Sequence, residues 1–337
     1  MKAKLLSFLK SLFVLALGLL LLYYVFKGQD LAEMVESLKN ANYKYLVCSM
    51  LLGYLAYVFR ALRWVLLLET MNYNVRPSLA THSIAAGYFA NIIFPRAGEV
   101  VRCTSLYKAS GVPVDKLFGT IILERAIDLI LLLSGILLSL VLKFSALSAF
   151  FSSISKAGGS SKMSNSIWLV FSVFLFLAAG LYYFREHLRK STLYQKLISI
   201  AFGIKEGFQT AFYMKQKGLF FIYTLLIWGM YLFMTYVCFF SIPETSSLTI
   251  VDGLYITIIG GLGMVVPVQG GVGSYHVAVT LGIVSIGLSE TTGLTLAVLI
   301  HSAQSIMILT TGIIAAIVLS FTKRKFAQNE SSKNTSV

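Results

Sequence analysis

Charge is what this sequence has least of. Lysine, arginine, aspartate and glutamate make up 12% of the 337 residues, about half the roughly 25% of a soluble domain, and this excludes an ordinary soluble globule. Cysteine is sparse as well: Cys48, Cys103 and Cys238 are odd in number, far apart and set in or beside apolar segments. That pattern supports neither a disulfide framework nor a metal knuckle, and it leaves them as small buried hydrophobes. The four histidines, His82, His187, His276 and His301, have none of the spacings of a zinc enzyme, so no metal and no cofactor are expected. Proline occurs only five times, yet Pro95 and Pro267 each fall inside an apolar run.

What is present in their place is hydrocarbon. With 57% hydrophobic residues and a mean hydropathy of +0.79, the fold class reads as all-α, a polytopic membrane protein. The net charge of +14 would raise nucleic acid as a partner of a soluble chain. Here the basic residues lie in loops and ends between apolar spans, so they face anionic lipid and no nucleic acid is expected.

Residues 87–106 (GYFANIIFPRAGEVVRCTSL) begin as an apolar run, break at Pro95, and then place Arg96, Glu99 and Arg102 where hydrocarbon should continue. Residues 260–276 (GGLGMVVPVQGGVGSYH) repeat the plan with Pro267, Gln269, a glycine cluster and His276. Irregular backbone at membrane depth survives only where protein or a water-filled cavity surrounds it. Paired interrupted segments in two halves point to a transporter's substrate site.

Six full spans are predicted, over residues 12–26, 45–68, 117–142, 167–184, 219–240 and 294–320, with an amphipathic helix over 30–40 lying in the interface. Seven basic against two acidic residues in 185–217 place that segment in the cytoplasm, together with both termini. Residues 78–116 then start and end inside and 243–291 start and end outside, so each is expected to be a re-entrant hairpin, up to eight to ten membrane segments in all. The halves, about 1–143 and 166–322, are expected to be inverted repeats of one membrane domain, joined by a flexible Ser/Gly-rich link over 144–166 and followed by a short polar tail, 323–337. The tips should meet, bringing Pro95, Arg96 and Glu99 close to Pro267 and to Gln269, Gly270, Gly271 and Gly273. A cavity lined by Arg96, Arg102, Glu124, Asp128 and His276 should open between the halves.

Further charges interrupt the spans. Glu124, Arg125 and Asp128 interrupt one span, with Asp128 about 16 Å in from Leu117, near mid-bilayer, and with Glu124 and Asp128 one turn apart on a shared face. They are either an ion-pair lock that orients helices or, with Arg96, Glu99 and Arg102, the lining of a cavity. Arg60 and Arg63 either snorkel to the interface beside Trp64 as a belt anchor or form a phosphate-binding pair. The glycines lack the strand and acidic residue of a dinucleotide loop and are read as close backbone packing at a hairpin turn. His276 and His301 are read as hydrogen-bonded structural residues.

Together, Ala61 to Trp64 (ALRW), the run from Asn91 to Arg102 with Pro95, Gly98 and Glu99, the Glu124-Arg125-x-x-Asp128 motif and the stretch from Pro267 to Gly273 resemble the lysylphosphatidylglycerol synthase transmembrane-region family, the flippase-like UPF0104 proteins. The resemblance covers nearly the whole chain. It implies a multi-pass protein of the bacterial cytoplasmic (inner) membrane that moves or binds an anionic or aminoacylated phospholipid, with Asn91 among the site residues, as a homo-oligomer or beside a separate lipid-synthesising partner. It also implies a glutamate where this chain has His276. Full-length relatives carry a soluble aminoacyl-transferase domain; none follows here, and no nucleophile is paired with a base, so an enzyme is not expected. A membrane-bound transferase and a scaffolding subunit are the alternatives.

Overall fold

Long apolar stretches become helices because every backbone N–H and C=O must be paired when no water is at hand. The computed structural model describes residues 15–94, 96–157 and 214–334, and its regular structure there is helical throughout. Helix α1 (Leu15–Phe26) turns by 96° into α2 (Leu31–Asn40). Gly28, at φ +89°, supplies the turn, and Asp30 starts α2 by accepting from the N–H groups of Ala32 and Glu33. The turn suits an amphipathic α2 lying along an interface.

Helix α3 (Tyr43–Thr70) starts at the Asn42 cap. Two short helices follow, α4 (Pro77–Ile93) and α5 (Gly98–Ser110), then the long α6 (Val114–Leu142). Gly111, at φ +75°, ends α5, and Pro113 caps α6. Helix α7 (Phe144–Ala157) follows. The last described stretch runs through α8 (Lys217–Cys238), α9 (Ile250–Val265), α10 (Ser274–Ser285) and α11 (Glu290–Asn334).

The protein is therefore a polytopic α-helical membrane protein, with a span count different from the six expected. Among the described residues four helices are long and apolar enough to cross, and five if the bent α1–α2 pair counts as one span. The predicted span 167–184 and nearly all of the basic segment 185–217 lie outside the described residues, as do Pro95, His187 and residues 335–337. The expected link over 144–166 is corrected in its first part: 144–157 is helix, because Ala146, Leu147 and Phe150 share an apolar face that is buried against the core formed with Tyr255, Val279 and Ile283.

A long–short–short–long order occurs twice, as α3 to α6 and as α8 to α11. The two leading helices pack against each other along their length. Ser49 donates to the Met234 carbonyl at 2.9 Å, Asn42 N–H to the Ser241 carbonyl at 2.8 Å, and Phe59 lies against Tyr223, so the residue numbers run in opposite senses and the pair is antiparallel. Short helices also pack across the two groups: α4 against α11 and α9 against α6.

Lys143, just past the end of α6, is ion-paired to Asp252 at 2.6 Å. Asp252 sits at the rim of α9, in a capping box with Thr249. Burial pushes its carboxyl pKa up, but the hydrogen bonds from Lys143 and Thr249 and the Lys143 charge outweigh this and hold it below the ordinary aspartate value.

Candidate functional site

The first broken segment is a hairpin closed by one side chain. Asn91, near the end of α4, accepts from the Gly98 N–H at 2.7 Å and so satisfies a free donor at the start of α5. The two helices touch backbone to backbone: a Cβ at Gly87 would stand 2.7 Å from the Gly98 carbonyl oxygen. Between them Arg96 adopts φ +62°, a conformation that costs a side-chain-bearing residue about 1–2 kcal/mol. Its side chain is exposed and has no ion-pair partner among the described residues. Strain of this kind is kept where the surrounding structure enforces it, often at functional sites.

In the second broken segment, Gly270, Gly271 and Gly273 all have positive φ, from +59° to +82°, and Pro267 lies just past the end of α9. The second broken segment touches the end of α4, through Ile92 and Ile93: Gln269 Nε2 donates to the Ile93 carbonyl at 3.5 Å, and Gly270 lies beside Ile92. His301 of α11 fixes the second tip through its Nε2, 2.8 Å from the Gly270 carbonyl.

Beneath the first hairpin, α3, α5 and α6 share an ion network. Arg102 forks onto Glu124, with Nη1–Oε2 at 2.7 Å and Nη2–Oε1 at 3.0 Å, and its guanidinium lies 3.7 Å over the Trp64 ring. Arg63 reaches Asp128 Oδ1 at 3.2 Å and Glu124 Oε2 at 4.0 Å, while Arg60 reaches Asp128 Oδ2 at 3.0 Å. At the open end, Arg125 Nε meets Glu99 Oε1 at 2.8 Å with both side chains about half exposed, and Arg125 Nη1 stands 3.9 Å from Asp128. Four guanidinium groups thus face three carboxylates, and one positive charge is left over before the exposed Arg96 is counted.

This geometry corrects several expectations. Arg60 and Arg63 do not snorkel: they are 3% and 0% exposed, because Asp128 on the facing helix gives them a partner in the interior. Trp64 is no belt anchor; it is fully buried and donates Nε1–H to Thr120 at 2.7 Å. Of the residues expected to line a cavity, Arg102, Glu124 and Asp128 are joined in these direct pairs, while Arg96 is exposed. His276 is buried with its ring 4.8 Å from His301, but its Nδ1 has no partner among the described residues, so the hydrogen bond expected there is missing on that atom.

Thr120 and Thr224, which donates to the Phe220 carbonyl and accepts from Arg63 at 3.3 Å, escaped the sequence reading. Thr120 was findable: with Glu124 and Asp128 it recurs every four residues on one helix face. Thr224 comes from α8, more than 150 residues from Arg63, and no local spacing points to it.

Residues 11–312 match the family model described as the lysylphosphatidylglycerol synthase TM region. A UPF0104 membrane protein from Methanocaldococcus jannaschii is 25% identical over 122 residues, 35% of this chain and 36% of that one, so the chain spans about a third of this relative's length. No solved structure matches. With the broken hairpins and the buried motif charges in place, and a family match running over nearly the entire chain, the protein belongs to the lysylphosphatidylglycerol synthase transmembrane-region family.

Proposed function

We propose that the protein binds the headgroup of a phospholipid at the rim of the first hairpin and moves it across the bilayer. The observation that carries this reading is the surplus of positive charge at the tip: Arg96 exposed and unpaired, above a network in which cations outnumber carboxylates. A guanidinium fork matches a phosphate in geometry and charge, and charged groups inside a membrane protein mark ligand paths. Membership of the family and the contact of Gln269 with Ile93 add support.

On this reading Arg96 contacts the phosphate, the half-exposed Glu99–Arg125 pair opens to exchange charge with the headgroup, and Arg60, Arg63, Arg102, Glu124 and Asp128 hold the field beneath it. The antiparallel leading helices and the cross-packed short helices support two inverted halves, about 1–143 and 166–322, which would let one site face either leaflet. Both termini face the cytoplasm of an inner membrane.

The test is transbilayer movement of fluorescent phospholipid in liposomes. Losing one charge-assisted contact of about 1.5–3 kcal/mol predicts that Arg96→Ala slows movement roughly 10- to 100-fold, while Arg96→Lys keeps part of the rate. Wild-type liposomes no faster than empty ones would remove transport as the activity, and an unchanged Arg96→Ala would remove Arg96 from the site.

A further inference from the structure

The ion network holds more donors than its carboxylates engage. Four guanidinium groups, of Arg60, Arg63, Arg102 and Arg125, face three carboxylates, of Glu99, Glu124 and Asp128, so one positive charge is left over among the described residues. Four guanidinium nitrogens are also buried without a hydrogen-bond partner among the described residues: Nε and Nη1 of Arg60, Nε of Arg63 and Nε of Arg102. Buried donors of this kind are few in folded proteins, and on a charged group they are costly.

The unengaged donors are densest at Arg60. This buried side chain uses only Nη2, which donates to Asp128 at 3.0 Å. The hydroxyl groups of Tyr88 on α4 and Tyr231 on α8 meet each other, and both interact with the Arg60 charge. Tyr57, one turn before Arg60 on α3, stacks on Tyr88 with ring centres 4.5 Å apart and so fixes that ring. Trp228, whose ring meets Tyr231 edge-on at 6.2 Å, holds a buried Nε1–H that also has no partner among the described residues. Three helices thus bring N–H and O–H groups to the side of a cation that is already in excess.

We infer that Arg60, Tyr88 and Tyr231 form a binding site for one small inorganic anion, a halide such as chloride, which acts as counter-ion to the buried network. Charge sets the valence: a monovalent ion cancels the single excess charge, and a divalent one would reverse it. Shape selects a sphere. Carboxylate and phosphate groups match the two-pronged face of a guanidinium, and Arg63 and Arg102 already turn both prongs to Asp128 and Glu124. A halide accepts single N–H and O–H bonds from any direction, which is what the remaining Arg60 nitrogens and the two hydroxyls offer. Water would satisfy the same donors but leave the charge, and uncompensated charge in a low-dielectric interior is costly. The site is distinct from the headgroup contact proposed at the exposed Arg96 and does not rest on it.

The experiment is equilibrium dialysis of the detergent-solubilised protein against radioactive chloride, at constant ionic strength with gluconate as the replacing anion. Wild type is expected to bind chloride saturably, at about one ion per chain, with bromide competing, and to melt at a higher temperature in chloride than in gluconate. Tyr88→Phe and Tyr231→Phe keep the rings and remove one hydroxyl each. Each should weaken chloride binding about tenfold, the effect of one hydrogen bond to a charged group. Arg60→Gln should abolish it, and the two tyrosine variants keep the test decisive should that protein fail to fold.

Absence of saturable chloride binding by wild type would overturn the inference, as would binding left unchanged in both tyrosine variants. Displacement of chloride, one for one, by a short-chain phosphodiester would make this pocket part of the headgroup site and overturn the assignment of a separate halide site.

Discussion

Glu124→Gln should destabilise the protein by about 3–5 kcal/mol, the usual consequence of removing one member of a buried ion pair. Glu124 is 1% exposed and receives both arms of Arg102, with Arg63 at 4.0 Å. The neutral amide leaves both guanidinium groups under-compensated in a region that already holds excess positive charge. The melting midpoint in detergent should fall sharply, with much of the protein aggregating on extraction. Arg102→Met combined with Glu124→Leu should recover most of that loss, since a buried pair replaced whole by apolar groups is often tolerated. A Glu124→Gln protein of wild-type stability that fails only in lipid movement would make this carboxylate a substrate ligand, and the structural account of the network would be lost.

Gly98→Val is expected to be nearly as damaging, for a steric reason. A Cβ at Gly98 would overlap the Gly87 carbonyl oxygen and come within 2.7 Å of the Asn91 side-chain carbon. The first obstacle is backbone and cannot swing aside, so α4 and α5 must separate and the Asn91–Gly98 bond breaks. Overpacking costs about 1–3 kcal/mol, and the lost cap adds about 1 kcal/mol. Even where the protein survives extraction, lipid movement should drop to background, because Arg102 lies one turn beyond Gly98. Gly119→Ala is the control: nothing stands within 4 Å of its added Cβ, and it should behave as wild type. Wild-type transport by Gly98→Val would mean that the close hairpin is not needed for function.

Both hairpins were legible because proline, glycine and charge inside an apolar run have few physical uses; the meeting of Gln269 with Ile93 follows from that logic. Partners across space were not legible. Arg60 and Arg63 sit in the cytoplasmic-side part of a predicted span, where snorkelling is the ordinary outcome, and only the facing Asp128 makes burial the better solution. Trp64 met the same fate, since its depth depends on Thr120 and Arg102 arriving from two other helices. Residues 144–157 looked like a linker by their serines, yet the aromatic and aliphatic positions between them supply enough apolar face to dock a helix. The tyrosines beside Arg60 were beyond reach for a similar reason: Tyr88 and Tyr231 come from α4 and α8.

The packing of α4 against the last helix carries a cost in time during synthesis. Helix α4 ends at Ile93 and its partner α11 begins at Glu290; at about 5–20 residues per second, the ribosome needs roughly 10 to 40 seconds to deliver the second after the first. Throughout that interval the face of α4 that packs on α11 stands without the surface that finally covers it. Helix α4 can pack on α3 and α5 as soon as these are made, and only its α11 face has to wait for the last helix.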